Sequence, residues 1–138
     1  DHFKSINDTY GHLEGDRILE EIGRLLTSRT RKSDVVCRYG GEEFVILMPL
    51  TEIESAMGVA EDIRKKIESH RFMHISIPEA DFETVTVSMG VSTLMPARYG
   101  DAEKIKQVAK SLIQEADEAL YRAKQGGRNR IESQGGPA

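Results

Sequence analysis

The chain has 138 residues, enough for one domain with one core, and its 38% apolar and 30% charged residues are ordinary for a soluble fold. A formal net charge of -4 argues against nonspecific binding to a nucleic-acid polyanion and leaves any phosphate contact to local cations. No apolar stretch approaches the roughly 20 residues of a membrane span, the N-terminus does not read as a signal peptide, and a single cysteine, Cys37, excludes an internal disulfide.

After a loop over residues 7–15, Ile18, Leu19, Ile22, Leu25 and Leu26 recur at helical spacing and predict a helix over residues 16–31. Two β-branched, aromatic and aliphatic runs follow, residues 35–39 and 44–48. The Gly40-Gly41 pair between them predicts a two-residue hairpin turn, because glycine accepts positive φ without penalty. Cys37 lies within the first run and is expected as a small buried hydrophobe. Thr51 and Glu54 form a capping-box pattern ahead of the stripe Ala56, Val59, Ala60, Ile63 and Ile67, a second helix ending near His70. Residues 71–83 read as a short strand and loop, and residues 85–94 as a strand. A helix is predicted over residues 102–125 with Gly126-Gly127 as its stop, then a short strand over residues 129–131.

The tip of the hairpin carries the chemistry. Arg38-Tyr39-Gly40-Gly41-Glu42-Glu43-Phe44-Val45-Ile46-Leu47 sets two adjacent carboxylates beside two glycines, and a sheet turn has no structural need of adjacent acids. Two carboxylates at a crease bare of side chains can hold a hard divalent cation, and the glycines let a phosphorylated ligand lie against the main chain. On a regular pleat Glu43 points away from Glu42, so both reach one ion only if the turn distorts the alternation. The plain alternative is a pair of solvated turn residues.

Gly40-Gly41-Glu42-Glu43-Phe44 resembles the signature of the GGDEF family of diguanylate cyclases, which tolerates Glu at its third position. The likeness extends upstream to Asp1-His2-Phe3-Lys4-Ser5-Ile6-Asn7-Asp8, Gly11-His12 and Gly15-Asp16. Downstream it takes in Val85-Thr86-Val87-Ser88-Met89-Gly90-Val91, Ala116-Asp117-Glu118-Ala119-Leu120-Tyr121, Ala123-Lys124 and Gly127-Arg128-Asn129. A domain over residues 1–132 follows, with residues 133–138 as a tail. The resemblance implies an α+β fold, a ferredoxin-like βαββαβ palm related to nucleotidyl cyclases, its central antiparallel sheet flanked by helices. Family members place a first strand, ending in Asp-x-Asp, just before the Phe-Lys pair. Asp1 matches the second of those acids; the strand and the first acid, the family's other metal-binding carboxylate, have no counterpart, so a longer parent is expected.

The activity so implied is condensation of two GTP into cyclic di-GMP with release of pyrophosphate, by attack of a 3′-hydroxyl on an α-phosphorus. Two divalent ions roughly 4 Å apart, Mg2+ or Mn2+, can activate the attacking oxygen and stabilise the leaving one. Glu42 matches the family's metal ligand, and Glu43 is assigned to the metal or to proton removal. GTP contacts fall by resemblance on Phe3, Lys4, Asn7, His12, Asp16, Gly40, Gly41, Lys124 and Arg128, with Asn7 and Asp16 on the base and Lys4, Lys124 and Arg128 on the triphosphate. Guanine's N1-H and 2-amino group match the two oxygens of a carboxylate, whereas adenine's N1 is an acceptor and would leave Asp16 desolvated and unpaired. The competing plain readings are a helix N-cap for Asp16, a turn residue for Asn7, and cations favoured by a helix C-terminus for Lys124 and Arg128.

Arg31-x-x-Asp34 resembles the family's inhibitory cyclic di-GMP site, where Arg31, in a helix's last turn, offers a planar fork and Asp34, opening a strand, accepts from guanine. The position aligned with a third arginine of that site holds Asp62, with Arg64 two residues on. The four histidines show no ligand spacing, His12 buttressing the nucleotide loop at most, and Ser88 and Gly90 read as close-packing positions. One site holds one GTP while the product has two guanosines, so a homodimer of half-sites is expected, behind an N-terminal sensory or receiver module. The expected location is the cytoplasm, within a parent that could be membrane-anchored, with no nucleic acid and no membrane contact by this domain. Two other classes stay open: a catalytically silent cyclic di-GMP-binding domain, and a different nucleotidyl cyclase or polymerase-like palm.

Overall fold

The computed structural model describes residues 1–72, 84–94 and 102–135. Its elements are α1 (Phe3–Tyr10), α2 (His12–Arg29), β1 (Val35–Gly40), β2 (Glu43–Leu47), α3 (Ile53–Glu68), β3 (Met89–Val91), α4 (Ala102–Gln125) and β4 (Ile131–Ser133). The chain divides into two compact units, Asp1–Leu50 with Asp62–Val87, and Thr51–Glu61 with Ser88–Ala138.

In the first unit the expected loop over residues 7–15 is replaced by two helices meeting at Gly11. Phe3, Ile6, Asn7 and Tyr10 fall at i, i+3, i+4 and i+7, a helical stripe only eight residues long and diluted by Asn, Asp and Thr. At Gly11 the chain takes φ +88°, its N–H bonding to the Asn7 carbonyl at 2.8 Å, and α2 begins at once. Helix α2 therefore starts four residues earlier than predicted and ends at Arg29, where Thr30 turns extended. It buries Ile18, Leu19, Ile22 and Leu26, which with Ile63, Ile67, Phe72 and Val85 make the core of this unit. Burial of each large apolar side chain is worth about 1.5–3 kcal/mol. On α2, Glu21 pairs with His70 at 2.6 Å, and the His70 ring meets Phe72 edge-on with centroids 4.7 Å apart.

Strands β1 and β2 are antiparallel, pairing Val35 with Leu47, Val36 with Ile46, Cys37 with Val45 and Arg38 with Phe44. Phe44 Cε1 lies 3.7 Å from where a Cβ on Gly23 of α2 would stand, which sets the hairpin against that helix. The alternation turns Val36 inward, and Cys37 is exposed, not buried as expected. Its apolar neighbours in sequence hid the period of 2.

In the second unit β3 and β4 form a parallel pair, a pairing the sequence did not suggest. They are connected through α4, the long crossover that a parallel pair requires. Helix α4 has the predicted bounds and fully buries Ala119 and Ala123. A Cβ on Gly90 would overlap Ala116 O and Leu120 N of α4, so β3 lies directly on the helix backbone, as expected for a close-packing position. The strand predicted over residues 85–94 reduces to Met89–Val91, the length its partner can pair. That partner begins two residues later than predicted because Arg128 and Asn129 have φ of +63° and +48°, so the chain is not extended before Arg130. Helix α3 runs from Ile53 to Glu68 and buries Ala56, Ala60, Ile63 and Ile67 along the predicted stripe. Residues 73–83 of the expected strand and loop, with His74, and residues 136–138 of the expected tail lie outside the described residues.

Candidate functional site

The hairpin tip differs by one residue from its predicted form. Gly40 pairs with Glu43, so the turn residues are Gly41 and Glu42, not Gly40 and Gly41. Gly41 has φ +46° and Glu42 does not share a positive φ, the sign pattern of a II′-type turn. Between Arg38 and Gly40 the register slips, leaving Tyr39 as an extra residue on β1. The regular alternation is thus interrupted beside the crease, on the strand that pairs with Glu43. Both carboxylates are exposed, and a Cβ on Gly40 or Gly41 would meet nothing within 4 Å. Arg38 Nε donates to the Gly41 carbonyl at 2.8 Å and clasps the tip. That arginine escaped the sequence reading, because a cation inside a strand run has no periodic signature.

Phe3, Asn7 and Asp16 come from the α1–α2 pair. Asn7 is helical, not a turn residue, and its Oδ1 is buried with no hydrogen-bond partner among the described residues. It rests against Gly15, where an added Cβ would overlap Oδ1 and stand 3.0 Å from Phe3 Cζ. Asp16 lies more than a turn inside α2, whose N-cap is Gly11, so the capping alternative fails and its exposed carboxylate is free of that task. Lys4 and His12 are exposed on α1 and at the first position of α2. Asp1 Oδ2 accepts from Thr86 Oγ1 at 2.9 Å.

Arg31 and Asp34 close a tight turn ahead of β1, outside α2 and not in its last turn. The Arg31 N–H donates to Asp34 Oδ2 at 2.8 Å and the Asp34 N–H to the Arg31 carbonyl at 3.0 Å, while the Arg31 side chain is exposed. Arg64 Nη1 contacts Glu68 Oε2 at 2.9 Å, and Asp62 is exposed. In the second unit Lys124 is exposed in the last turn of α4 and Arg128 follows the glycine stop. The Arg128 N–H bonds to the Ala123 carbonyl at 3.0 Å, holding its left-handed backbone in place.

Residues 1–130 match the family described as diguanylate cyclase, GGDEF domain. The chain belongs to the GGDEF family. Diguanylate cyclase A of Treponema denticola is 46% identical over 132 residues, 95% of this chain and 32% of that protein. The chain thus spans about a third of that relative's length. Among solved structures, the GGDEF domain of DgcB from Caulobacter crescentus, in complex with c-di-GMP, matches with a TM-score of 0.84 and 32% identity over 96% of this chain and 72% of that one. The active GGEEF domain of a diguanylate cyclase from Vibrio cholerae gives a TM-score of 0.80 and 33% identity over 97% and 77%. The letters GGEEF are those of Gly40 to Phe44 here. The α+β fold expected from the sequence is therefore the GGDEF fold.

Among the described residues of this GGDEF domain no three His, Cys, Asp or Glu side chains gather closely enough to cage a metal. A hard cation such as Mg2+ takes one or two carboxylates and fills its remaining positions with water and substrate phosphate oxygens. The exposed Glu42 and Glu43, beside two glycines, fit that demand. No helix among the described residues is long and apolar enough to cross a membrane.

Proposed function

We propose that this GGDEF domain is a diguanylate cyclase that condenses two GTP into cyclic di-GMP and two pyrophosphates. The observation that carries the reading is the crease itself, where a positive-φ Gly41 and an interrupted register present Glu42 and Glu43 as exposed neighbours on an open backbone. Asp16 accepts N1-H and the 2-amino group of guanine, and the Asn7 amide, whose Oδ1 has no partner among the described residues, supplies a second contact to the base. Adenine would turn an acceptor toward the same carboxylate, which selects GTP over ATP. Phe3 and His12 border the nucleotide, Gly40 and Gly41 let phosphate approach the main chain, and Lys4, Lys124 and Arg128 neutralise the triphosphate. Two divalent ions, Mg2+ or Mn2+, held by Glu42 and Glu43 would polarise the α-phosphate and acidify the attacking 3′-hydroxyl. Glu43 either completes that ligand set or takes the hydroxyl's proton. Two half-sites from a homodimer meet to close the ring, and the product returns to Arg31 and Asp34 as an inhibitor, while an N-terminal module in a cytoplasmic parent controls the pairing.

The deciding measurement is GTP-to-cyclic-di-GMP conversion by the intact protein beside its Glu42→Ala variant. Product is expected from the first and roughly a hundredfold less or lower from the second. Equal product from both removes Glu42 from the machinery. No product from either, with cyclic di-GMP still bound, turns the domain into a silent binding module.

A further inference from the structure

We infer that Gly15 is a positioning residue for guanine recognition, its missing side chain being the seat of the Asn7 amide. The inference rests on the base-binding role given above to Asn7 and Asp16. A glycine inside a helix is a standing loss of helix stability relative to alanine, so a buried one asks for a reason. Helix α2 holds two, and they differ. A Cβ on Gly23 would make one ordinary contact, 3.7 Å from Phe44 Cε1, so alanine fits there. A Cβ on Gly15 would overlap Asn7 Oδ1 and crowd both Asn7 Cγ and Phe3 Cζ at 3.0 Å. Asn7 occupies the volume that a side chain at position 15 would need.

Two further observations tie this seat to ligand and not only to packing. The Asn7 oxygen buried there has no donor among the described residues, so no hydrogen bond of the fold explains why an amide fills that space. A hydrophobic side chain would pack against Gly15 without leaving a polar atom unsatisfied. Gly15 also precedes Asp16 directly, so the seat fixes the Asn7 amide in register with the carboxylate assigned to the same guanine edge. Any side chain at position 15 must push the amide off that register and leave Asp16 where it is. Recognition of the base suffers then, and the phosphates and the hairpin crease are untouched.

The test is steady-state kinetics of the intact protein with GTP and with inosine triphosphate, which lacks only the 2-amino group. Gly15→Ala is expected to raise KM for GTP by about tenfold, to change kcat by less than about threefold, and to shrink the preference for GTP over inosine triphosphate. In an Asn7→Ala background the same substitution should add less than about twofold, because the group it displaces is already gone. A Gly15→Ala protein with unchanged KM and unchanged base preference, or with an equal loss in the Asn7→Ala background, overturns the inference. If Asn7→Ala itself leaves KM and preference unchanged, the base-binding reading falls and the role of Gly15 falls with it. Should Gly15→Ala not fold, Asn7→Gln decides, since its extra methylene lifts the amide from the seat without altering α2. Loss of base preference in that variant supports the inference, and full retention refutes it.

Discussion

At Arg31 the backbone and the side chain do separate work. The main-chain N–H holds Asp34 Oδ2 at 2.8 Å and so fixes the turn, leaving the guanidinium exposed for the proposed inhibitory role. Truncation to alanine keeps the N–H, so Arg31→Ala should preserve the turn and remove only the fork that grips phosphate or a guanine edge. Added cyclic di-GMP should then no longer slow GTP turnover, and progress curves should lose their product-dependent bend. Inhibition that persists at wild-type strength would place the second site elsewhere. Asp34→Ala differs, since it also removes the acceptor that closes the turn, at a cost of about 0.5–1.5 kcal/mol in stability. The spacing singled this pair out, but its geometry was not legible, because nothing in the sequence marks Thr30 as the point where α2 stops. The same holds for Asp16: its capping alternative lost only when Gly11, a cap with no side chain, proved to start the helix.

Among elements, legibility followed length and period. Helix α4 was readable end to end because 24 residues of amphipathic pattern run into a double glycine. Helix α1 was not, with eight residues and poor helix formers, and it is held by packing on α2 more than by propensity. The hairpin turn slipped by one residue because either glycine can supply a positive φ, and the extra Tyr39 on β1 decides which does. Two glycines with different jobs make a prediction here. Gly41 has φ +46° with open space around its would-be Cβ, so Gly41→Ala should cost only the left-handed backbone, about 1–2 kcal/mol. Gly90 has no positive φ, but a Cβ there would strike Ala116 O and Leu120 N, backbone atoms that cannot rotate away. Gly90→Ala should therefore cost about 1–3 kcal/mol or more and part β3 from α4. Urea unfolding of both variants, with hydrogen exchange at Met89–Val91, checks this: faster exchange there is expected for Gly90→Ala and not for Gly41→Ala.

For the whole molecule, the decisive constraint is stoichiometric. Cyclic di-GMP contains two guanosines joined by two equivalent bonds, while the chain has one GGEEF crease and one Asn7–Asp16 pair, so the proposed cyclase activity would call on two copies related by a two-fold axis to close the ring. If each copy contributes one nucleotide and one set of carboxylates, a dimer with one disabled crease cannot complete both bonds. The inactive Glu42→Ala chain should then poison the wild type. With random pairing, total activity scales as the square of the wild-type fraction, so an equimolar mixture should retain about half the activity per wild-type chain. Co-expression of differently tagged chains followed by assay at fixed wild-type concentration measures this, and capture through one tag with detection of the other shows whether mixed pairs form. Activity per wild-type chain that stays constant as the variant is added in excess would mean that one chain closes both bonds alone. Because Glu42 is exposed at a turn and outside either core, the variant should fold and pair like the wild type, so that a loss would report on shared catalysis and not on damaged assembly.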